Sequence, residues 1–115
     1  MFTFDLNKSS LKKDIMTLGQ KIKELREQTG MLQRELASQL EIGDGFLSKI
    51  ENNQKTLKRE HLAKISELFN CSISELEALW IGTKLYEIVK DEQEALNALK
   101  VAEQEIKYRK QYDIL

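Results

Sequence analysis

Proline is absent from this 115-residue sequence, and cysteine and histidine occur once each, as Cys71 and His61. Without proline there is no built-in helix breaker. With 32% of residues charged and long stretches in helical spacing, the composition points to an all-α protein with little extended structure. A single cysteine excludes an intrachain disulfide, and one cysteine with one histidine cannot assemble a Cys/His zinc site, so neither metal nor cofactor is expected. No segment approaches the roughly 18 consecutive apolar residues of a membrane span, and the N-terminus lacks an apolar signal core. The expected setting is therefore cytoplasmic, with no membrane partner. There is also no Gly-rich phosphate loop and no Cys-His pair at a recognisable spacing, and the carboxylates fall on helix faces where solvation accounts for them. An enzyme is not expected.

A chain of this length holds one small domain of roughly 60 to 80 residues plus an appendage. Three parts are expected: residues 1–16 as an N-terminal extension, 17–80 as the domain, and 81–115 as a helical tail. Residues 1 to 15 show no sustained period and stop just before Met16-Thr17-Leu18. They read as a leader, an upstream start or a disordered terminus, with Lys8, Lys12 and Lys13 offering a basic arm as the alternative. Within the domain, the spacing predicts a first helix from about Leu18 to Thr29, with Leu18, Ile22 and Leu25 on one face and Gly30 as its stop. A fourth helix, about Arg59 to Phe69, buries Leu62, Ile65 and Phe69 and ends at Asn70. A fifth opens at Ser72 or Ser74, each followed three residues later by glutamate as in a capping box.

Between the first and fourth helices lies the most informative stretch, Gln33 to Asn53. Its apolar residues fall at Leu36, Ala37, Leu40 and Ile42, then at Leu47 and Ile50. That pattern predicts two short amphipathic helices, about Gln33–Leu40 and Asp44–Asn52, meeting at a tight turn around Glu41 to Gly43. The glutamine opening the first of them, the Leu36-Ala37 pair one turn later, and Leu47-Ser48-Lys49-Ile50-Glu51-Asn52 in the second resemble the Xre, Cro and phage-repressor family of helix-turn-helix transcription regulators. The likeness covers about Leu18 to Leu79. It implies a five-helix, lambda-repressor-like domain with a C-terminal helical extension, whose third helix enters the major groove of double-stranded DNA.

The resemblance also implies roles residue by residue. Gln33 matches the glutamine that contacts a DNA phosphate, at a helix N-terminus whose unpaired N–H groups suit an anion. Asp44, Gly45, Ser48 and Lys49 occupy the start of the third helix, where the family reads base edges. Lysine donates to guanine O6 or N7 and serine pairs with several bases, whereas aspartate accepts only from a donor such as the cytosine amino group. Asp44 departs from the glutamine or arginine that related proteins often carry, and Gly43 stands where they have serine or threonine. Phe46 matches a tyrosine or phenylalanine able to touch a thymine methyl or the backbone edge. Asn52, Lys55 and Lys58 lie at and beyond the end of that helix, in phosphate-contacting positions. Arg26 and Glu51 match a buried structural ion pair between the first and third helices. For His61, Cys71 and Trp80 the expectations are ordinary: a rim histidine, a small buried thiol and an aromatic near the junction with the tail.

From Ile81 onward the period changes. Ile81, Leu85, Ile88, Glu92, Ala95, Leu99, Ala102 and Ile106 step alternately by four and three, a heptad seam interrupted by Glu92. Asp91 with Glu94 is expected to cap a fresh helix after a break near Lys90-Asp91. The seam reads as a homodimerisation helix using Leu85, Ile88, Leu99 and Ile106, or else as a helix packed on its own domain.

Charge supports the first alternative. The net charge is −1; residues 17 to 69 carry nine Lys/Arg against eight Asp/Glu, and residues 70 to 115 carry six against nine. Because affinity for DNA rests largely on cations neutralising phosphates, one nearly neutral domain holds DNA weakly and two linked domains hold it better. A competing expectation is an interaction adaptor or antitoxin whose acidic tail binds a partner protein, with DNA contact secondary.

Overall fold

The computed structural model describes residues 16–112. The expected basic arm and almost all of the N-terminal extension lie outside the described residues. Six helices follow in order: α1 Leu18–Gln28, α2 Gln33–Leu40, α3 Asp44–Glu51, α4 His61–Phe69, α5 Ile73–Val89 and α6 Ala95–Gln111. Among the described residues there is no strand, so the protein is all-α.

Each helix start has a local cause. Thr17 opens α1 with a capping box: its hydroxyl accepts the Gln20 N–H at 3.1 Å while the Gln20 side chain accepts the Thr17 N–H at 2.9 Å. At α2, Glu35 reaches back to accept the Leu32 N–H at 2.8 Å. Ser72, rather than Ser74, serves α5, accepting the Glu75 N–H at 3.2 Å. At α6 the expected acidic cap is not formed. Glu94 precedes the helix without a side-chain bond to its backbone, because its carboxylate accepts from the Asn97 side chain at 2.6 Å.

Four of the six helix ends share one device. Gly30, Glu41, Asn53 and Asn70 have positive φ of 74°, 58°, 64° and 51°. At Glu41 the Ile42 N–H bonds the Ala37 carbonyl at 2.9 Å and the Glu41 N–H bonds Ser38 at 3.1 Å, a Schellman closure of α2. The turn between α2 and α3 thus places its left-handed residue at a glutamate. Gly43 sits in extended backbone (φ −76°, ψ 152°) as the residue before α3. Asparagine tolerates this conformation through its short polar side chain; glutamate has no such help.

Apolar residues at helical spacing close the core. Leu18, Ile22 and Leu25 of α1, Leu36, Ala37 and Leu40 of α2, and Leu47 and Ile50 of α3 are buried, with Leu62 and Ile65 of α4 and Leu76 of α5. Phe69, expected inside, is only half-buried against them. Helices α1 and α3 approach closely at Gly19, where a Cβ would run into the Ile50 carbonyl oxygen and the Asn53 side chain. The Thr17 hydroxyl donates to Asn53 Oδ1 at 2.8 Å across the same approach.

The chain divides into two compact units within α5, between Thr83 and Lys84. The second unit holds the end of α5, the turn at Lys90–Glu94, where the helix break was expected, and α6, which has no buried residue. Helix α5 itself runs unbroken through Ile81, where the period changes.

Candidate nucleic-acid interface

Helix α3 is anchored by three buried residues and presents most of the others outward. Leu47, Ile50 and Glu51 are buried; Asp44, Gly45, Phe46 and Lys49 are exposed, and Ser48 is half-buried. The four residues expected to read base edges therefore stand on the accessible part of one short helix, together with Phe46.

Beneath it is a buried polar cluster. Arg26 Nε donates to Glu51 Oε2 at 2.7 Å and its second nitrogen to Oε1 at 3.0 Å, a two-pronged pair joining α1 to the end of α3. The remaining guanidinium nitrogen donates to the Met31 carbonyl at 3.0 Å. The Glu51 side chain is 2% exposed and that of Arg26 11%, so both charges depend on these partners. The hydrogen bond to Glu51 pushes the Arg26 guanidinium above its ordinary range, against the opposing effect of burial.

Gln33 completes the cluster. Its side-chain Nε2 donates to Glu51 Oε1 at 2.9 Å, and the residue is half-buried. The glutamine at the start of α2 is thus tied to the last residue of α3, and its second amide hydrogen is left for another acceptor. The Gln33 and Arg34 N–H groups precede the first hydrogen bond of α2, which Glu35 and Leu36 make to the Leu32 carbonyl. They form a donor pair next to the exposed cation Arg34, a residue outside the set expected to contact phosphate. A basic residue beside a helix-opening glutamine was the available signal.

Beyond α3, Asn52, Lys55 and Lys58 are all exposed. The segment carrying them is pinned at Leu57, which is 1% exposed and whose carbonyl accepts the Trp80 indole N–H at 2.8 Å. Arg59 lies 5.4 Å above the Trp80 ring, a cation–π contact. Trp80 therefore ties α5 to the loop bearing two candidate phosphate-contacting lysines. Nothing in the sequence spacing indicated that bond.

A family model described as a helix-turn-helix domain matches residues 19–79, more than half of the chain. The chain belongs to that family. The HTH-type transcriptional regulator ImmR of Bacillus subtilis (strain 168) is 39% identical over 57 residues, covering 50% of this chain and 45% of that protein. The chain spans less than half the length of that curated relative. No solved structure matches it. The helix-turn-helix match ends at residue 79, before the heptad seam begins. Within the seam Leu85, Ile88 and Ile106 are exposed and Leu99 is half-buried. No helix among the described residues is long and apolar enough to cross a membrane. His61 and Cys71 are both half-buried, and burial pushes the Cys71 thiol upward.

Proposed function

We propose that this helix-turn-helix protein is a sequence-specific DNA-binding transcription regulator that acts as a homodimer, with α3 in the major groove and no catalytic role. The observation that carries this reading is the presentation of α3. Its inner face is locked by Leu47, Ile50 and the Arg26–Glu51–Gln33 cluster, while Asp44, Gly45, Phe46 and Lys49 remain accessible. A major groove about 12 Å wide admits one helix, and discrimination among bases requires donors and acceptors held at fixed positions. Lys49 supplies a donor for guanine, Ser48 an adaptable hydroxyl, and Asp44 an acceptor that favours cytosine and repels phosphate.

Gln33, the first amides of α2, Asn52, Lys55 and Lys58 supply the phosphate contacts that set register without reading sequence. With the domain nearly neutral, two copies joined through the tail raise the effective concentration of the second domain at its half-site. The relative ImmR, named as a transcriptional regulator, agrees with this assignment.

The test is a pair of alanine variants scored on a library of DNA sequences. Lys49→Ala is expected to relax base preference at one position, at a cost of ~1 to 3 kcal/mol there. Gln33→Ala is expected to weaken binding on all sequences alike. An unchanged profile for Lys49→Ala removes α3 as the reading element, and protein that binds no DNA sequence selectively favours the adaptor reading.

A further inference from the structure

The turn that opens α4 carries a third cation beside Lys55 and Lys58. Arg59 is exposed, with its guanidinium 5.4 Å above the Trp80 ring and one terminal nitrogen 3.7 Å from Glu77 Oε2. Both tethers come from α5. The backbone beneath is fixed as well. Leu57 is buried and its carbonyl accepts the Trp80 indole N–H, while the Lys58 and Arg59 carbonyls accept the His61 and Leu62 N–H groups at 3.0 and 3.1 Å. An arginine whose planar fork already rests on an aromatic face loses less side-chain freedom when it takes up an anion.

From this arrangement we propose that Arg59 is a further phosphate contact of the DNA-binding surface, and that Glu77 holds its guanidinium until a phosphate replaces the carboxylate. The proposal rests on the DNA-binding reading given above and adds a residue which that reading leaves out. At 3.7 Å the Arg59–Glu77 pair is a charge contact rather than a hydrogen bond, and both side chains are open to water, so the pair is weakly held. The N–H donors of the guanidinium therefore remain for a better placed acceptor. Carboxylate and phosphate use the same two-pronged geometry on arginine, so one displaces the other without any new fold. The exchange also answers the shortage of positive charge. Residues 17 to 69 hold nine Lys/Arg against eight Asp/Glu, and freeing one cation from an internal acid is a sizeable change in what that domain offers to DNA.

Fluorescence anisotropy with a labelled DNA duplex of mixed sequence follows binding by the full chain over a range of salt. The logarithm of affinity falls with the logarithm of salt in proportion to the phosphates neutralised, so the slope counts contacts. Each variant is first checked for helical content and melting by circular dichroism. Arg59→Gln is expected to weaken binding and to make the slope shallower by about 0.9 per protomer. Arg59→Lys is expected to keep the wild-type slope, since a cation still meets the phosphate. Glu77→Gln is expected to tighten binding by about threefold, the range set by an exposed ion pair. A wild-type slope in Arg59→Gln, a slope lost equally in Arg59→Lys, or binding by Glu77→Gln no tighter than wild type overturns the exchange and leaves the DNA-binding reading standing. A wild type that leaves the duplex unbound at low salt overturns both.

Discussion

Replacing Glu51 by alanine removes the acceptor for two Arg26 bonds and one Gln33 bond at once. Arg26 then keeps only the Met31 carbonyl as a buried partner, with its side chain 11% exposed and Glu27 at 3.9 Å on the surface. Breaking a buried pair on one side costs ~3 to 5 kcal/mol, because the remaining charge is stranded away from water. Against a total stability of about 5 to 15 kcal/mol, that is a large fraction. For a domain of this size each kcal/mol moves the melting temperature by about 4 to 8 °C, so the midpoint should fall by about 12 °C or more. Thermal circular dichroism measures it, with Glu103→Ala as the control. Glu103 is exposed and, among the described residues, pairs with Lys107 on the helix surface at 3.3 Å, so that change should stay within about 0.5 kcal/mol. The double change Arg26→Met with Glu51→Leu should recover much of the loss, since apolar replacement of both partners strands nothing. Because the Arg26 guanidinium is raised further into its charged range, its contribution should be constant across neutral pH and vanish only in strong alkali. Equal midpoints for Glu51→Ala and Glu103→Ala would refute the reasoning.

Three further outcomes follow from the backbone and from Cys71. Gly19→Ala gains about 1 kcal/mol of helix propensity but drives a methyl into the Ile50 carbonyl, so chemical denaturation should show a net loss of about 1 to 2 kcal/mol; a stabilised variant would contradict the close approach of α1 and α3. Glu41→Asn relieves a left-handed glutamate and removes an acid from the C-terminal end of α2, and should raise stability by about 0.5 to 1 kcal/mol in the same assay, with a loss counting against the turn geometry. Burial is the main cause that raises the Cys71 thiol, so its contribution to stability is fully present below the thiol's unfolded range and is lost as pH rises from there through the raised folded value. Iodoacetamide at pH 8 should therefore label Cys71 more slowly than a free thiol and equally fast once the chain is unfolded; equal rates in the folded protein would refute the burial.

Helix positions were legible because their causes are local. Leu18, Ile22 and Leu25, or Leu47 and Ile50, repeat at the helical period whatever they pack against, and Gly30 and Asn70 mark stops by their own conformational tolerance. The first two residues expected of α4, Arg59 and Glu60, lie in the turn before His61, where the His61 and Leu62 N–H groups bond back to Lys58 and Arg59. The left-handed residue of the central turn was not legible, since a glutamate there runs against its own preference and the packing of α3 on α2 decides. Tertiary hydrogen bonds were hidden for a related reason. Gln33 to Glu51 and Trp80 to Leu57 span 18 and 23 residues, and neither partner's type implies the other. The family resemblance located the face of α3, while the tie that holds Gln33 against α3 came only from the structure.

The central claim is that α3 reads DNA sequence as part of a symmetric dimer. Selection of genomic DNA fragments by the purified full chain, followed by sequencing of the bound pool, tests it most directly. Enrichment of one motif with inverted half-sites about 10 base pairs apart, or a multiple of that, centre to centre, is the predicted result. A bound pool with the base composition and sequence content of the input would contradict it.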